Sequence, residues 1–536
     1  SGTVNVQDKN PNVPNAFGVT ATLTDNTASP VAPGGTINYT AVITNTGNVG
    51  EDAGLVTYNG NLDPNTTISG LVQVSPITIN DTFPVTVVGN VQINSANLAV
   101  PFSVVTNDYQ GQNGGALTVA TSGTTANGGQ VVMTTTGADI GKFIYNPPAG
   151  FEGTDTFTYT LSNSVGSTTA ATVSIPVSGM VWFINNASAV CTTIAAGCGR
   201  ITHPFSDLGS FNTVNNGAGN NPAVNDNIFI YESASAYNST ITLLTGQKLI
   251  GQDSTSTLSA LTGLTPPTGS TPFPAMDSAN GTITKITTTI ASNGISLNNT
   301  GAGGSNTING LTVGNTTGAG IFGSTFGTLT VADVSINEPS VTRTGQALSL
   351  TTGALNATFI NVTSSTGSNN VSLVSVTGNT NLGTGALSGS SGSAFTLTGA
   401  GNTATISYAG TITNATLRAV NVAGKTGGTV NISGLVTSTG AGILLDSNTG
   451  ATINFTGGIS ASTGGNAAFT AIGGGTVNVT DPNAVGSAPD NTLATTTGTA
   501  LNVANTTIGA SNLNFRSIGP TAAAARFRAR PATRFR

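Results

Sequence analysis

The chain has 536 residues, of which 37% are hydrophobic, 6% charged and 5% aromatic, and 71 are glycine. An average globular protein carries roughly 25% charged residues, and disorder needs many charges with little apolar content, so this composition excludes a disordered chain. The net charge is −6, but Arg526, Arg528, Arg530, Arg534 and Arg536 crowd the last eleven positions, and the remainder, at about −11, repels nucleic acid and anionic lipid.

Val, Ile, Leu, Ala and Phe interleave with Thr, Ser and Asn, a mixture that favours strands and tight turns and gives a helix little, so the expected class is all-β. No run of about twenty apolar residues is present, so no membrane span is expected. The sequence opens on Ser1 without Met. A removed leader or missing upstream sequence is expected from that start.

In chain order, residues 1–16 read as an N-terminal extension. Ser1 to Asp8 nearly repeats Gly474 to Asp481, so Thr3, Val4, Asn5 and Val6 are written like a strand of the repetitive C-terminal region. Residues 17–76 read as a small β-sandwich: Pro33-Gly34-Gly35 is a turn, and Ile37, Tyr39, Ala41 and Ile43 alternate as a half-buried strand before the Asn45-Thr46-Gly47 turn. This pattern resembles the conserved-repeat domain of secreted bacterial and archaeal surface proteins, and the resemblance implies an Ig-like sandwich.

Residues 77–179 read as a second sandwich. Phe143, Tyr145, Phe157, Tyr159 and Leu161 alternate on two strands joined by the Pro147-Pro148-Ala149-Gly150 turn. The stretch Gly141 to Leu161 resembles bacterial cadherin-like and Ig-like repeats. Members of those families often bind calcium through acidic runs after an Asn-Asp pair. Here Asn107-Asp108 is followed by Tyr-Gln-Gly-Gln-Asn. Calcium takes six or more oxygen ligands, several usually carboxylates, so no strong site is expected and no cofactor is assigned.

Residues 180–281, opening at Val181-Trp182-Phe183-Ile184, resemble the capping region of right-handed parallel β-helix surface proteins. Such a region covers the first coil, whose core and backbone edge would otherwise be exposed. The only two cysteines, Cys191 and Cys198, have six residues between them, enough for a local disulfide loop in an oxidising compartment. Two buried free thiols are the other reading. The lone His203 beside Pro204 reads as a turn residue rather than a base, and with one histidine in the chain no metal site is expected.

Residues 282–518 are repetitive. Leu348, Leu373, Phe395, Val420, Leu444 and Phe469 form one apolar series, and Phe359, Leu382, Ile406, Val430, Ile453 and Val477 another, both with a period of about 24. Two interleaved series predict two core-facing strands per coil of a right-handed parallel β-helix, and the chain resembles secreted surface proteins of the adhesin or autotransporter-passenger kind. Roughly ten coils stacked at about 4.8 Å would give a shaft on the order of 48 Å long. Later copies arrive late, which predicts an insertion around 481–497.

The acids of this region are Asp333, Glu338, Asp446, Asp481 and Asp490, and no two are one period apart. The carboxylate pairs that polysaccharide hydrolysis or a calcium-dependent lyase needs are therefore not expected, and the chain reads as a non-enzyme. Thr is frequent in every region, which reads as general surface composition rather than a ranked face for ice or carbohydrate. The coil pattern runs to Leu513, Phe515 and Ile518 and then gives way to the Arg-rich tail 519–536. A coil end without a polar cap is a template for another strand. The expected function is an extracellular structural subunit of a surface filament, joined head-to-tail to copies of itself through Thr3–Val6 and the Leu513, Phe515, Ile518 end. An adhesin stalk for carbohydrate or ice is the alternative, and a polysaccharide-degrading β-helix comes third.

Overall fold

The computed structural model describes residues 2–8, 19–25, 31, 35–36, 39–45, 53–60, 73–288, 292–298, 303–336, 345–482 and 490–520. Strands make up 46% and helices 4%, with an Ig-like domain followed by a β-solenoid of about 11 turns.

Among the first strands, β1 (Gly2–Asp8) pairs antiparallel with β4 (Ala53–Gly60), and β2 (Val19–Asp25) with β3 (Tyr39–Asn45). Of the N-terminal extension expected at 1–16 as a possible assembly strand, residues 2–8 pair within the chain, and residues 1 and 9–16 lie outside the described residues. Thr3, Val4, Asn5 and Val6 stand opposite Asn59, Tyr58, Thr57 and Val56 of the same chain. A strand tethered by some fifty residues reaches its partner at a far higher effective concentration than a strand from another molecule.

The Ig-like domain holds β5 (Asp81–Thr82), β6 (Val87–Gly89), β7 (Ile93–Asn94), β8 (Thr118–Thr121), β9 (Gln130–Met133), β10 (Phe143–Asn146), β11 (Gly153–Ser162) and β12 (Ala171–Ile184). One sheet runs β7–β10–β9; in the other β11 pairs with β8 and β12, and β12 pairs parallel with β5 and β6. Alternation along β11 buries Phe157, Tyr159 and Leu161, which meet Phe83, Phe143 and Tyr145 between the sheets. Phe143 sits edge-to-face on Phe157 with centroids 5.1 Å apart.

Strand β12 does not stop at the domain boundary. Ala171–Val177 pair with β11, and Val181–Ile184 pair parallel with β13 (Asn227–Ile230) as the first rung of the solenoid. Side chains alternate between two jobs there: Trp182 and Ile184 enter the solenoid core, while Val181 and Phe183 join a separate apolar cluster with Val88 and Val91 of the Ig-like domain.

The solenoid continues through β14 (Tyr237–Asn238), β15 (Ile241–Leu244), β16 (Lys248–Gly251), β17 (Lys285–Thr287), β18 (Ile295–Asn298), β19 (Ser305–Val313), β20 (Ile321–Ile336) and β21 (Leu348–Val362), then through shorter strands to Pro520. Every pairing along it is parallel, which is what a coil stacking on itself gives. Sheet I descends from the end of β12 through β13, β16 and β19 to Thr507–Leu513. Sheet II descends from β14 to Ser517–Pro520, and sheet III from β15 to Leu501–Ala504.

Three strands per coil correct the two expected. The missed sheet II carries Leu387, Ile412, Val436 and Ile459, spaced 25, 24 and 23 apart, on strands of only two to four residues. Register corrects two stacks as well. In sheet III, Val420 stacks on Ile443, which stacks on Phe469, so Leu444 points outward. In sheet I, Thr380 rather than Leu382 lies beneath Ile406. The offset from Phe469 to Leu501 is 32 residues, and the extra residues fall between the strands Thr476–Val479 and Thr492–Thr495.

Candidate functional site

The junction between module and solenoid is the most elaborated place in the chain. Asn90, at φ 67°, is fully buried; its amide donates to Val181 O at 3.1 Å and its side-chain oxygen accepts from Gly150 N at 2.9 Å. Gly150 itself has φ 71°, and a Cβ there would lie 1.9 Å from Asn220 O and 2.7 Å from the Trp182 ring, so this turn position requires glycine. Gly179 N donates to Glu152 Oε1, and the Arg200 guanidinium donates to Pro147 O. The loop after β16 carries α2 (Leu258–Thr262), and Thr271 N donates to Gln92 O while Gly269 O accepts from Asn94 N. Leu258, Leu261, Leu264, Phe273 and Met276 of that loop fill the shared cluster.

The 180–281 segment both starts the solenoid and covers its end. Helix α1 (Leu208–Val214) lies against β15, the first strand of sheet III. Asn212 replaces a missing strand there: its oxygen accepts from Thr242 N at 3.0 Å and its amide donates to Thr240 O, while Asn215 donates to Thr242 O at 2.8 Å. Phe183 N donates to Gly199 O, and Phe205 N to Phe183 O, so residues 199–205 line the edge of the first rung. Cys191 and Cys198 form the disulfide that holds this loop. His203 N donates to Arg200 O, placing the histidine in a turn.

The calcium question turns on Asp108. The fold brings it to Asp81 and Tyr159: the Tyr159 Oη lies 2.9 and 3.1 Å from the two Asp108 oxygens and 3.0 Å from both Ile79 O and Val104 O. These oxygens are the kind calcium takes, but the phenol occupies their centre, and only two carboxylates are present. Burial instead pushes the Asp81 carboxyl up to about 7, outweighing hydrogen bonds from Tyr159 and Asn107, and the neighbouring Asp108 charge pushes the same way. Burial also raises Asp108. One phenolic hydrogen cannot serve four acceptors; a proton on the carboxylates relieves the crowding that a metal would otherwise neutralise. A second tyrosine–carboxylate pair, Tyr145 Oη to Asp155 Oδ2 at 2.8 Å, is buried in the same domain.

The solenoid is chemically quieter. Asp446 has Ala423 and Ile472 above and below it in register, and Asp333 accepts from the Thr255 hydroxyl at 2.7 Å. Glu338 lies outside the described residues. Lys425 is fully buried, its ammonium donating to Asn402 Oδ1 at 3.3 Å and to Ala404 O, and burial lowers its pKa to about 8.

The expectation that threonine is merely general composition is corrected by register. On the outer side of sheet I, Thr405, Thr429, Thr452, Thr476 and Thr507 stack one per rung. Two positions along, Ser407, Asn431, Asn454 and Asn478 form a second rank. Asn454 donates to Asn431 Oδ1 at 2.7 Å, and Asn478 to Asn454 Oδ1 at 2.8 Å, so the amides brace each other. Composition hid this, because a rank exists only between residues about 24 apart.

At the far end, Leu513 is buried against Val479 in the chain's own core, which corrects its expected place on an assembly surface. Phe515 stacks on Phe469 at 5.9 Å, and Ile518 is half-buried on Leu493. Among the described residues, the last strands of the three sheets pair on one side only. The tail 521–536 lies outside the described residues.

Residues 76–176 match the family described as bacterial Ig domain. No curated protein and no solved structure matches the chain. The match assigns the module alone. The described residues form an Ig-like domain joined to a β-solenoid, preceded by two strand pairs, and no helix among them is long and apolar enough to cross a membrane.

Proposed function

We propose that this chain is a non-enzymatic, extracellular structural protein of a bacterial surface, a stiff spacer that carries Ig-like modules at one end and associates with copies of itself at the other. The observation that carries the reading is β12, one strand serving both as the last of the Ig-like domain and as the first rung of the solenoid. A flexible linker is what independent binding modules use; a shared strand transmits orientation and load. Bacterial Ig domains are typical of surface and extracellular proteins, and the disulfide suits an oxidising compartment.

For association, the supporting feature is the last rung, whose strands pair on one side only among the described residues. The solenoid's opposite end is covered by α1 and residues 199–205, so end-to-end solenoid stacking is replaced by contact of this last rung with another surface of a second copy. Sedimentation of the full chain over a wide concentration range tests this. Association that Ile508→Lys and Ile518→Lys abolish is the expected result; a monomer at every concentration removes self-assembly. Protease shaving of intact cells tests the location, and a chain protected from external protease contradicts it.

A further inference from the structure

Sheet I changes character along its length. On its first rungs the outward residues Phe183, Phe229 and Ile250 are buried beneath the α2 loop and the Ig-like domain. From β19 downward the two outward columns carry uncharged residues, the two ranks among them, and no aromatic ring; Asp333, at the β20 bulge beside them, is bonded to Thr255 of the α2 loop. Sheet III has no such order: Ser372, Thr396, Asn421, Leu444 and Thr470 follow one another in one outward column.

We infer that this lower face of sheet I binds an ordered, uncharged hydrogen-bonding lattice, and that the lattice is ice. Rungs repeat at about 4.8 Å and the two ranks lie about 6.6 Å apart, a rectangular array of hydroxyl and amide groups. The register is unbroken over the four rungs from Thr405 to Val479. Threonine presents a methyl and a hydroxyl on a side chain stiff at χ1, and the asparagines are held by one another, so the array loses little entropy on contact. A charged ligand would call for charge on this face. A sugar polymer would be expected to find an aromatic surface to lie on, and the face offers none. Water fixed in a lattice needs regular spacing, small side chains and neutral donors and acceptors, all of which are present. This binding is separate from the spacer role and does not depend on it.

The test uses the full chain. Ice grown slowly from its solution is expected to take up the protein, and the protein is expected to inhibit recrystallisation of polycrystalline ice. Thr429→Tyr with Thr452→Tyr, placed in the rank, should reduce uptake to that of an unbound solute. Ser372→Tyr, in the unordered outward column of sheet III, should leave it unchanged, with far-UV circular dichroism showing all variants folded. Exclusion of the wild-type chain from ice overturns the inference. So does equal loss in the sheet III variant, or retention on insoluble cellulose or chitin without uptake into ice.

Discussion

The Ig-like domain and the solenoid reach a dry core by opposite routes. The domain gathers Phe83, Phe143, Phe157, Tyr145 and Tyr159 from strands far apart in sequence, and it buries carboxylates among them. The solenoid buries one aliphatic layer per coil, and each layer touches mainly the coils above and below, so its stability is close to a sum of neighbour terms. Tyrosine–carboxylate pairs are therefore a feature of the module, while the solenoid's outer faces are free to carry pattern.

The sharpest way to break this comparison is to remove one ring from each region. Phe143→Ala and Phe469→Ala should each cost about 4 kcal/mol. By hydrogen exchange, the first should expose the whole Ig-like domain together. The second should expose only the rungs adjoining Phe469, and exposure of the entire solenoid would contradict neighbour-only coupling. An effect of similar size should come from pH. Folding raises Asp81 from 3.8 to about 7, so its contribution is complete below the unfolded carboxyl range and is lost as pH rises through about 7. That loss is on the order of 4 kcal/mol. Thermal melts should show the Ig-like transition falling between about pH 4 and 7, with Asp81→Asn flattening the profile and added calcium leaving it unchanged.

Lys425 should give the solenoid the opposite slope. Its pKa is lowered from 10.5 to about 8, so the stability this contributes is complete above the unfolded value and is lost as pH falls through about 8. The full change is about 3 kcal/mol, read in solenoid melts between pH 7 and 10.5, and Lys425→Met should remove the slope. The smallest effect expected is at the cap. Cys191→Ser with Cys198→Ser releases a short loop, worth about 2 kcal/mol, and should quicken exchange around residues 191–205 while leaving the distal rungs as they were.

Much of this was legible in the sequence. The 24-residue period, the late copies and the paired cysteines all follow from spacing, and the Phe143 to Leu161 alternation gave two strands of the module. Sheet II was not read because its strands are short and its inward Leu387, Ile412, Val436 and Ile459 sit among Thr, Ser and Gly, where alternation is too brief to register. The shared strand was missed because Gly179, at φ 80°, reads as a break, whereas the chain passes it as a bulge opposite β6 and continues pairing. The Asp81–Asp108–Tyr159 cluster joins residues 27 and 51 positions from Asp108 in sequence, a proximity only the folded sandwich creates.

The central claim is that module and solenoid form one stiff body through β12. Spin labels at Val132→Cys on the Ig-like domain and Ile360→Cys on the solenoid, both exposed positions, test it by pulsed dipolar distance measurement. A single narrow distance distribution, unchanged by solvent viscosity, is the predicted result. A broad distribution, with the two parts sampling many separations, would contradict it.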